Sequence, residues 1–362
     1  MIYLDYQATT PLAPEAFDAM VPLLRDQFAN PHSAHRLGRA AAAQVEVARD
    51  EIDRLLPSGG KLVFTSGATE ALNIAIQGAP SGGIVTIATE HAAVLDTVEV
   101  ARRNGRAVTI LPVGPDGIVN MDAAAQAIVP GVSLVVAMLV NNEIGVIQPV
   151  AALADLAHRA GALFLCDAVQ GYGRVALPPS VDMVAVSAHK IHGPKGIGAL
   201  WLRDGVRPAP LIHGGGQEAG LRSGTLSPAL CAGFGVAARL MRERADADRN
   251  HVEALGALAR TLFSDWTLNG SDTARYPGNL NLRRDGIDGA RLLSYCRNVA
   301  FSLGSACASG SGRPSHVLRA LGLTDVQARG SVRIGFGRYT SREELERAAA
   351  IVNEAAAAQA AP

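Results

Sequence analysis

Seven short apolar runs, rich in β-branched residues, punctuate the first part of the chain: KLVFTSG (61–67), GGIVTIA (82–88), RAVTILPV (106–113), SLVVAMLV (133–140), ALFLCDA (162–168), DMVAVSA (182–188) and GALWLR (198–203). Their apolar positions are nearly continuous instead of alternating, which marks strands buried on both faces. They predict a mainly parallel seven-stranded sheet with helices on either side. Amphipathic stretches separate several of them, such as TEALNIAIQG after the first run and VAALADLAHRAG (150–161) before the fifth. That alternation is the pattern of an α/β fold. The stretch 227–263 is helix-prone throughout and reads as a bridge between domains. Beyond it the pattern changes to shorter strand-like segments, GNLNLRR (278–284) and SVRIGFG (331–337), with helical patterns near 288–296 and 341–356. A smaller α+β domain is expected there. The division expected is a large domain over 15–245 and a small one made of 1–14 with 246–362. The alanine-rich end, EAAAAQAAP, reads as a fraying tail.

Composition narrows the function classes. Among 362 residues, Lys plus Arg and Asp plus Glu both number 33, so no charge excess points to nucleic acid or to an anionic membrane. No apolar run approaches the ~18 residues that a membrane-spanning helix needs. The start, MIYLDYQATTPLAP, has neither a basic stretch nor an apolar core, so no signal peptide and a cytoplasmic location are expected. The four cysteines, Cys166, Cys231, Cys296 and Cys307, are far apart and form no CxxC pair. That spacing predicts no metal site and suits a reducing compartment.

Three segments carry candidate chemistry. In FTSGATEALNIA (64–75) a strand is followed by Ser-Gly-Ala-Thr and a helix. The N–H groups of Gly67, Ala68 and Thr69, with the Thr69 hydroxyl, would make an anion site, although an ordinary capped helix explains the pattern equally well. In LFLCDAVQGYG (163–173), Asp167 stands at the carboxyl end of a buried strand, on the ligand-binding edge of an open α/β sheet. A carboxylate there needs a cationic partner, and a protonated ring nitrogen would serve, with Gln170 meeting the same ring. The alternative is a turn or helix-capping aspartate. In MVAVSAHKIHGPKGIGALWL (183–202), Lys190 directly follows a strand. The chain has only three lysines against thirty arginines. Lys61 begins a strand at the wrong end and Lys195 sits in a Gly/Pro turn, which leaves Lys190 as the amine able to condense with an aldehyde. A phosphate nest, a carboxylate for a ring nitrogen and an amine for an aldehyde together describe a site for pyridoxal phosphate. A fourth segment, SLGSACASGSGRP (302–314), puts Cys307 among small residues that cannot pack around it. Such a thiol is either incidental or a reagent that must stay accessible.

The motifs YLDYQATTPLAP, FANPHSAHRLGR, FTSGATEALN, TEHAAVLDT, VNNEIGVIQP, CDAVQGYG, SAHKIHGPKGIGAL, HGGGQEAGLRSGTL, GSACASGSGRPSHVLRALGL and SVRIGFGRYT follow one another in this order over nearly the whole chain. In them the chain resembles the NifS/IscS-like cysteine desulfurases of the class V aminotransferase superfamily, which have the pyridoxal-phosphate fold type I. The resemblance implies that Lys190 binds the cofactor aldehyde, Asp167 its ring nitrogen and Gln170 its ring hydroxyl. His91 would stack on the ring and assist proton transfers. Ala68, Thr69, Ser187 and His189 would hold the phosphate, and Thr225 the phosphate of a neighbouring subunit, which implies a homodimer. Asn142 would lie against cofactor and substrate, and Asn30 and Arg333 against the substrate L-cysteine, Arg333 gripping its carboxylate. Cys307 would take the sulfur as a persulfide and hand it to an acceptor protein; no metal is implied beyond a transient iron–sulfur contact there. The remaining cysteines read as structural. Selenocysteine lyase or an aminotransferase of the same superfamily is the alternative, and the Cys307 loop disfavours the latter. The stretch after Arg338 is shorter than the tail with which housekeeping relatives dock an iron–sulfur scaffold. The acceptor is therefore left open between iron–sulfur assembly, tRNA thiolation, cofactor synthesis and DNA modification.

Overall fold

The computed structural model describes residues 1–303 and 314–360. After a short N-terminal strand β1 (Ile2–Tyr3), each of the seven apolar runs forms a strand: β2 (Gly60–Thr65), β3 (Gly83–Ile87), β4 (Val108–Leu111), β5 (Val132–Met138), β6 (Leu163–Asp167), β7 (Met183–Ser187) and β8 (Gly198–Arg203). They make one sheet in the order β2-β8-β7-β6-β5-β3-β4. The four pairings from β7 to β4 are parallel, whereas β8 runs antiparallel to both β7 and β2. The reason for the reversal is length. Segment 188–197 between β7 and β8 is too short for the crossover that a parallel return requires.

Two-sided burial explains the unbroken apolar runs. Leu62, Phe64, Val135, Phe164, Val184 and Trp201 face helices Arg36–Asp53, Val150–Arg159 and Pro228–Glu243. Val63, Leu134, Leu165, Met183 and Leu200 face helices Ala68–Gln77 and Ala92–Arg103 on the other side. The helix-prone stretch 227–263 divides at Arg244 into Pro228–Glu243, packed on the sheet, and Ala245–Leu262, whose Val252, Leu255 and Ala259 belong to a separate core. That second core surrounds β9 (Thr267–Leu268), β10 (Asn279–Arg283), β11 (Val299–Ala300), β12 (Ser302–Leu303) and β13 (Ser331–Gly335). The order β12-β13-β10-β9 is antiparallel throughout, and β11 pairs in parallel with β1.

The expected fraying of the tail is corrected as far as Ala360, the last described residue, where helix Arg342–Ala360 ends. Alanine is the strongest helix former. Ala356 is buried in the second core, and Gln359 Oε1 accepts the Asp288 N–H at 3.1 Å.

His192 joins the β7–β8 connection to the N-terminal segment. Its N–H donates to Thr10 Oγ1 (2.7 Å), and its ring Nδ1–H donates to the Pro11 carbonyl (3.0 Å). Burial, and after it the nearby Arg338 and Arg174 guanidinium groups, push the ring down to about 3. An unfolded histidine takes up its proton near 6.5, so between that value and about 3 the unfolded chain holds more protons and stability falls as pH falls. Acidification from pH 7 to about pH 4.5 is expected to cost about 2 kcal/mol through this residue. Urea midpoints at the two pH values should therefore differ less in His192→Asn, since asparagine tolerates the positive φ of 69° at this position. An equal pH-dependent drop in both proteins would exclude His192 as the source.

Candidate active site

Strand register collects the candidate residues at one sheet edge. Met138 pairs with Asp167, Asp167 with Ala185, and both Ser187 and Thr65 with Gly198. The carboxyl ends of β2, β5, β6 and β7 therefore lie side by side, and β3, paired with β5 in parallel, exits at the same edge through Thr89–His91. An α/β sheet binds its ligands at this edge because the loops that leave it are not needed for the core.

Asp167 ends β6 buried, and its Oδ1 accepts the Val169 N–H at 3.0 Å. Among the described residues it has no ion-pair partner within 4.0 Å. Burial raises its carboxyl, against the Val169 hydrogen bond and the positive potential of His91 and Lys190. Gln170, also buried, donates from Nε2 to the Gln7 carbonyl at 2.9 Å. Lys190 closes the 3-10 turn Ala188–Lys190 and donates from Nζ to that same carbonyl and to Ala8 O at 2.8 Å. Ser187, at the end of β7, is buried. His189 Nδ1 meets Thr9 Oγ1 at 3.1 Å, and burial with the charges of Lys190 and Lys195 pushes the ring down to about 4, so it is neutral at pH 7.

His91 caps helix Ala92–Arg103, its Nδ1 accepting the Ala93 N–H at 3.0 Å. The neutral ring therefore carries its hydrogen on Nε2, which makes it a donor. Burial lowers its affinity for a second proton, Asp167 opposing and Lys190 and His316 reinforcing the effect. Glu90 beside it is fully buried, with Oε1 accepting the Met138 N–H at 2.6 Å. Burial and then the Asp167 charge push its carboxyl well above the usual carboxylate range.

At the start of helix Ala68–Gln77, Gly67 offers no side-chain cap, and a Cβ added there would meet no atom within 4 Å. Space is thus open beside the N–H groups of Ala68 and the exposed Thr69. Glycine is required opposite, at Gly198, where a Cβ would fall 2.7 Å from Gly67 Cα. The second core contributes Arg333 from the middle of β13. Its Nη2 binds Asp5 Oδ1 at 2.7 Å, and its Nη1 donates to the carbonyl of the half-buried Asn142 at 3.0 Å.

Not every candidate joins this group. Asn30 is exposed, with Oδ1 accepting the His32 N–H at 2.9 Å, and Thr225 is exposed. Neither bonds another candidate among the described residues. Cys307 lies outside the described residues. Conversely, the segment Asp5–Thr10, quoted above only as part of a family motif, proves to be a strap across the site: Asp5 binds Arg333, Gln7 and Ala8 carbonyls hold Lys190, and Thr10 Oγ1 donates to the His189 carbonyl at 2.9 Å. Glu143, Ser315 and His316 were also missed: Glu143 Oε2 accepts the Ser315 hydroxyl, and His316 Nε2 donates to the Glu90 carbonyl at 2.9 Å. No local pattern announces these residues, since each acts through a partner distant in sequence.

The groups present match the needs of pyridoxal phosphate. A buried carboxylate with no ion pair among the described residues suits a ring N–H⁺, an amine at the same edge suits an aldehyde, and open space at a helix N-terminus suits a phosphate.

Known proteins share this architecture. Residues 2–348 match the family described as aminotransferase class-V. The chain is 42% identical over 369 residues to the cysteine desulfurase IscS of Rickettsia bellii (strain OSU 85-389), covering 97% of this chain and 90% of that protein. A solved NifS-like protein superposes with a TM-score of 0.90 at 31% identity, over 98% of both chains. The structure described as SspA in complex with cysteine superposes with a TM-score of 0.84 at 33% identity, over 94% of this chain and all of that one. Fold and sequence agree, and the chain belongs to the NifS/IscS-like cysteine desulfurases of the class V aminotransferase family.

Proposed function

We infer that this chain is a pyridoxal-phosphate-dependent cysteine desulfurase: it takes sulfur from L-cysteine, releases L-alanine and passes the sulfur from Cys307 to an acceptor protein. The observation that carries the reading is the meeting of Lys190, the buried Asp167 and the open N-terminus of helix Ala68–Gln77 at one sheet edge. A solved relative described as holding cysteine supports the substrate.

Bound there, pyridoxal phosphate supplies an aldehyde for the substrate amine and a ring that accepts negative charge. Lys190 would hold it, and the Gln7 and Ala8 carbonyls, which accept from Lys190 Nζ, would hold the amine when it is released. Asp167 would keep the ring nitrogen protonated, and Gln170 would meet the ring hydroxyl. Ala68, Thr69, Ser187 and His189 hold the phosphate, joined by Thr225 of a second copy, so the working unit is a homodimer. Asn30, Asn142 and Arg333 orient L-cysteine, the guanidinium taking its carboxylate. His91 would stack on the ring and assist proton transfers, its neutral Nε2–H serving as a hydrogen-bond donor. The Cys307 thiolate attacks the substrate sulfur and forms an S–S bond. The carbon–sulfur bond breaks, its electron pair stays with carbon, and that carbon takes up a proton to become the methyl group of alanine.

The test is the absorbance spectrum of the purified protein together with L-cysteine turnover to alanine and sulfide. A visible cofactor band with turnover is expected; no band after added pyridoxal phosphate would overturn the reading. In Asp167→Asn the amide cannot neutralise the ring N–H⁺. Turnover is expected to fall by about 100-fold and cofactor affinity, titrated into the apoprotein, by about tenfold. Unchanged affinity would remove Asp167 from the cofactor site.

A further inference from the structure

We propose that Asp5 is a positioning residue for the substrate carboxylate, holding the Arg333 guanidinium in the orientation that receives it; this rests on the reading above. Arg333 is 1% exposed. Its two terminal nitrogens are held from different sides, Nη2 by Asp5 Oδ1 at 2.7 Å and Nη1 by the Asn142 carbonyl at 3.0 Å. Contacts at both nitrogens fix the plane of a long side chain that would otherwise sample several rotamers. They use two of five N–H donors. Buried Nε has no partner among the described residues. A buried N–H without a partner costs the desolvation of the group. An arriving carboxylate would satisfy it together with a remaining terminal N–H, in the side-by-side fork that guanidinium and carboxylate share.

Asp5 is itself held firmly. It bridges Gly335 on the strand that carries Arg333, Gly335 N–H donates to Leu4 O at 2.8 Å, and Tyr3 OH donates to Asp5 O at 3.1 Å and to Thr9 O at 2.9 Å. A Cβ at Gly335 would fall 1.6 Å from Gln7 Oε1, so glycine there is what lets the strap lie down. Two residues beyond Asp5, the same strap holds Lys190. The groups for the substrate's carboxylate and for its amine are thereby referenced to a single backbone segment.

The experiment compares binding of L-alanine with that of L-alaninamide, read from the absorbance change of the cofactor-loaded protein. The two probes differ in the carboxylate alone and neither carries sulfur, so no turnover interferes. The ratio of their dissociation constants is taken within one sample and does not depend on how much protein is folded. Wild type is expected to prefer L-alanine, and Asp5→Asn to lose at least about tenfold of that preference. Asp5→Glu, which keeps the charge but shifts the guanidinium, is expected to lose about threefold. That second variant decides the matter should Asp5→Asn not accumulate as folded protein. A preference retained in the variants overturns the role of Asp5 and leaves the proposed function standing. A wild type that binds both probes equally overturns the carboxylate role of Arg333 and, with it, this proposal.

Discussion

Lys190→Ala is expected to lower L-cysteine turnover by about 10⁴-fold or more, the scale on which a covalently acting residue is lost. Borohydride reduction followed by intact mass should show the cofactor fixed to wild type and absent from the variant. No other amine can substitute. Lys61 is exposed at the amino end of β2, opposite the site, and Lys195 is exposed in the turn before β8. Lys195→Ala should accordingly keep both the fixed mass and turnover. Cofactor mass retained in Lys190→Ala would move the covalent role to another residue and undo the assignment of the site.

Cys307→Ala is expected to lower turnover by about 10³-fold or more while leaving the cofactor band and L-alanine binding unchanged. The remaining three cysteines make this test specific. Cys166, Cys231 and Cys296 are buried free thiols. Burial, with the charges of Asp167 and Glu90, pushes Cys166 far up; burial pushes Cys231 up to about 12 and raises Cys296 as well. A thiolate is the nucleophile, and these three buried thiols are all held toward the neutral form. Turnover that survives Cys307→Ala would point to a lyase or transaminase working on the same fold, with the sulfur leaving directly.

The sequence alone disclosed the sheet and the edge at which its candidate chemistry lies. Two-sided burial demands unbroken apolar runs, so every one of the seven strands was legible, and the scarcity of lysine singled out Lys190 at the end of the sixth run. The position of Asp167 was legible for a related reason: a charge directly after an apolar run falls where the strand ends, at the sheet edge. What the tertiary structure decided is where distant polar groups meet. The reversal of β8, the strap Asp5–Thr10 across Lys190 and Gln170, the fixing of Arg333 by Asp5 and the hold of Glu90 on the Met138 N–H all join residues far apart in the chain. A local sequence records how its residues are buried and how its backbone turns. It carries no trace of a hydrogen bond whose partner lies hundreds of residues away, because that partner is chosen only when the two cores are brought together.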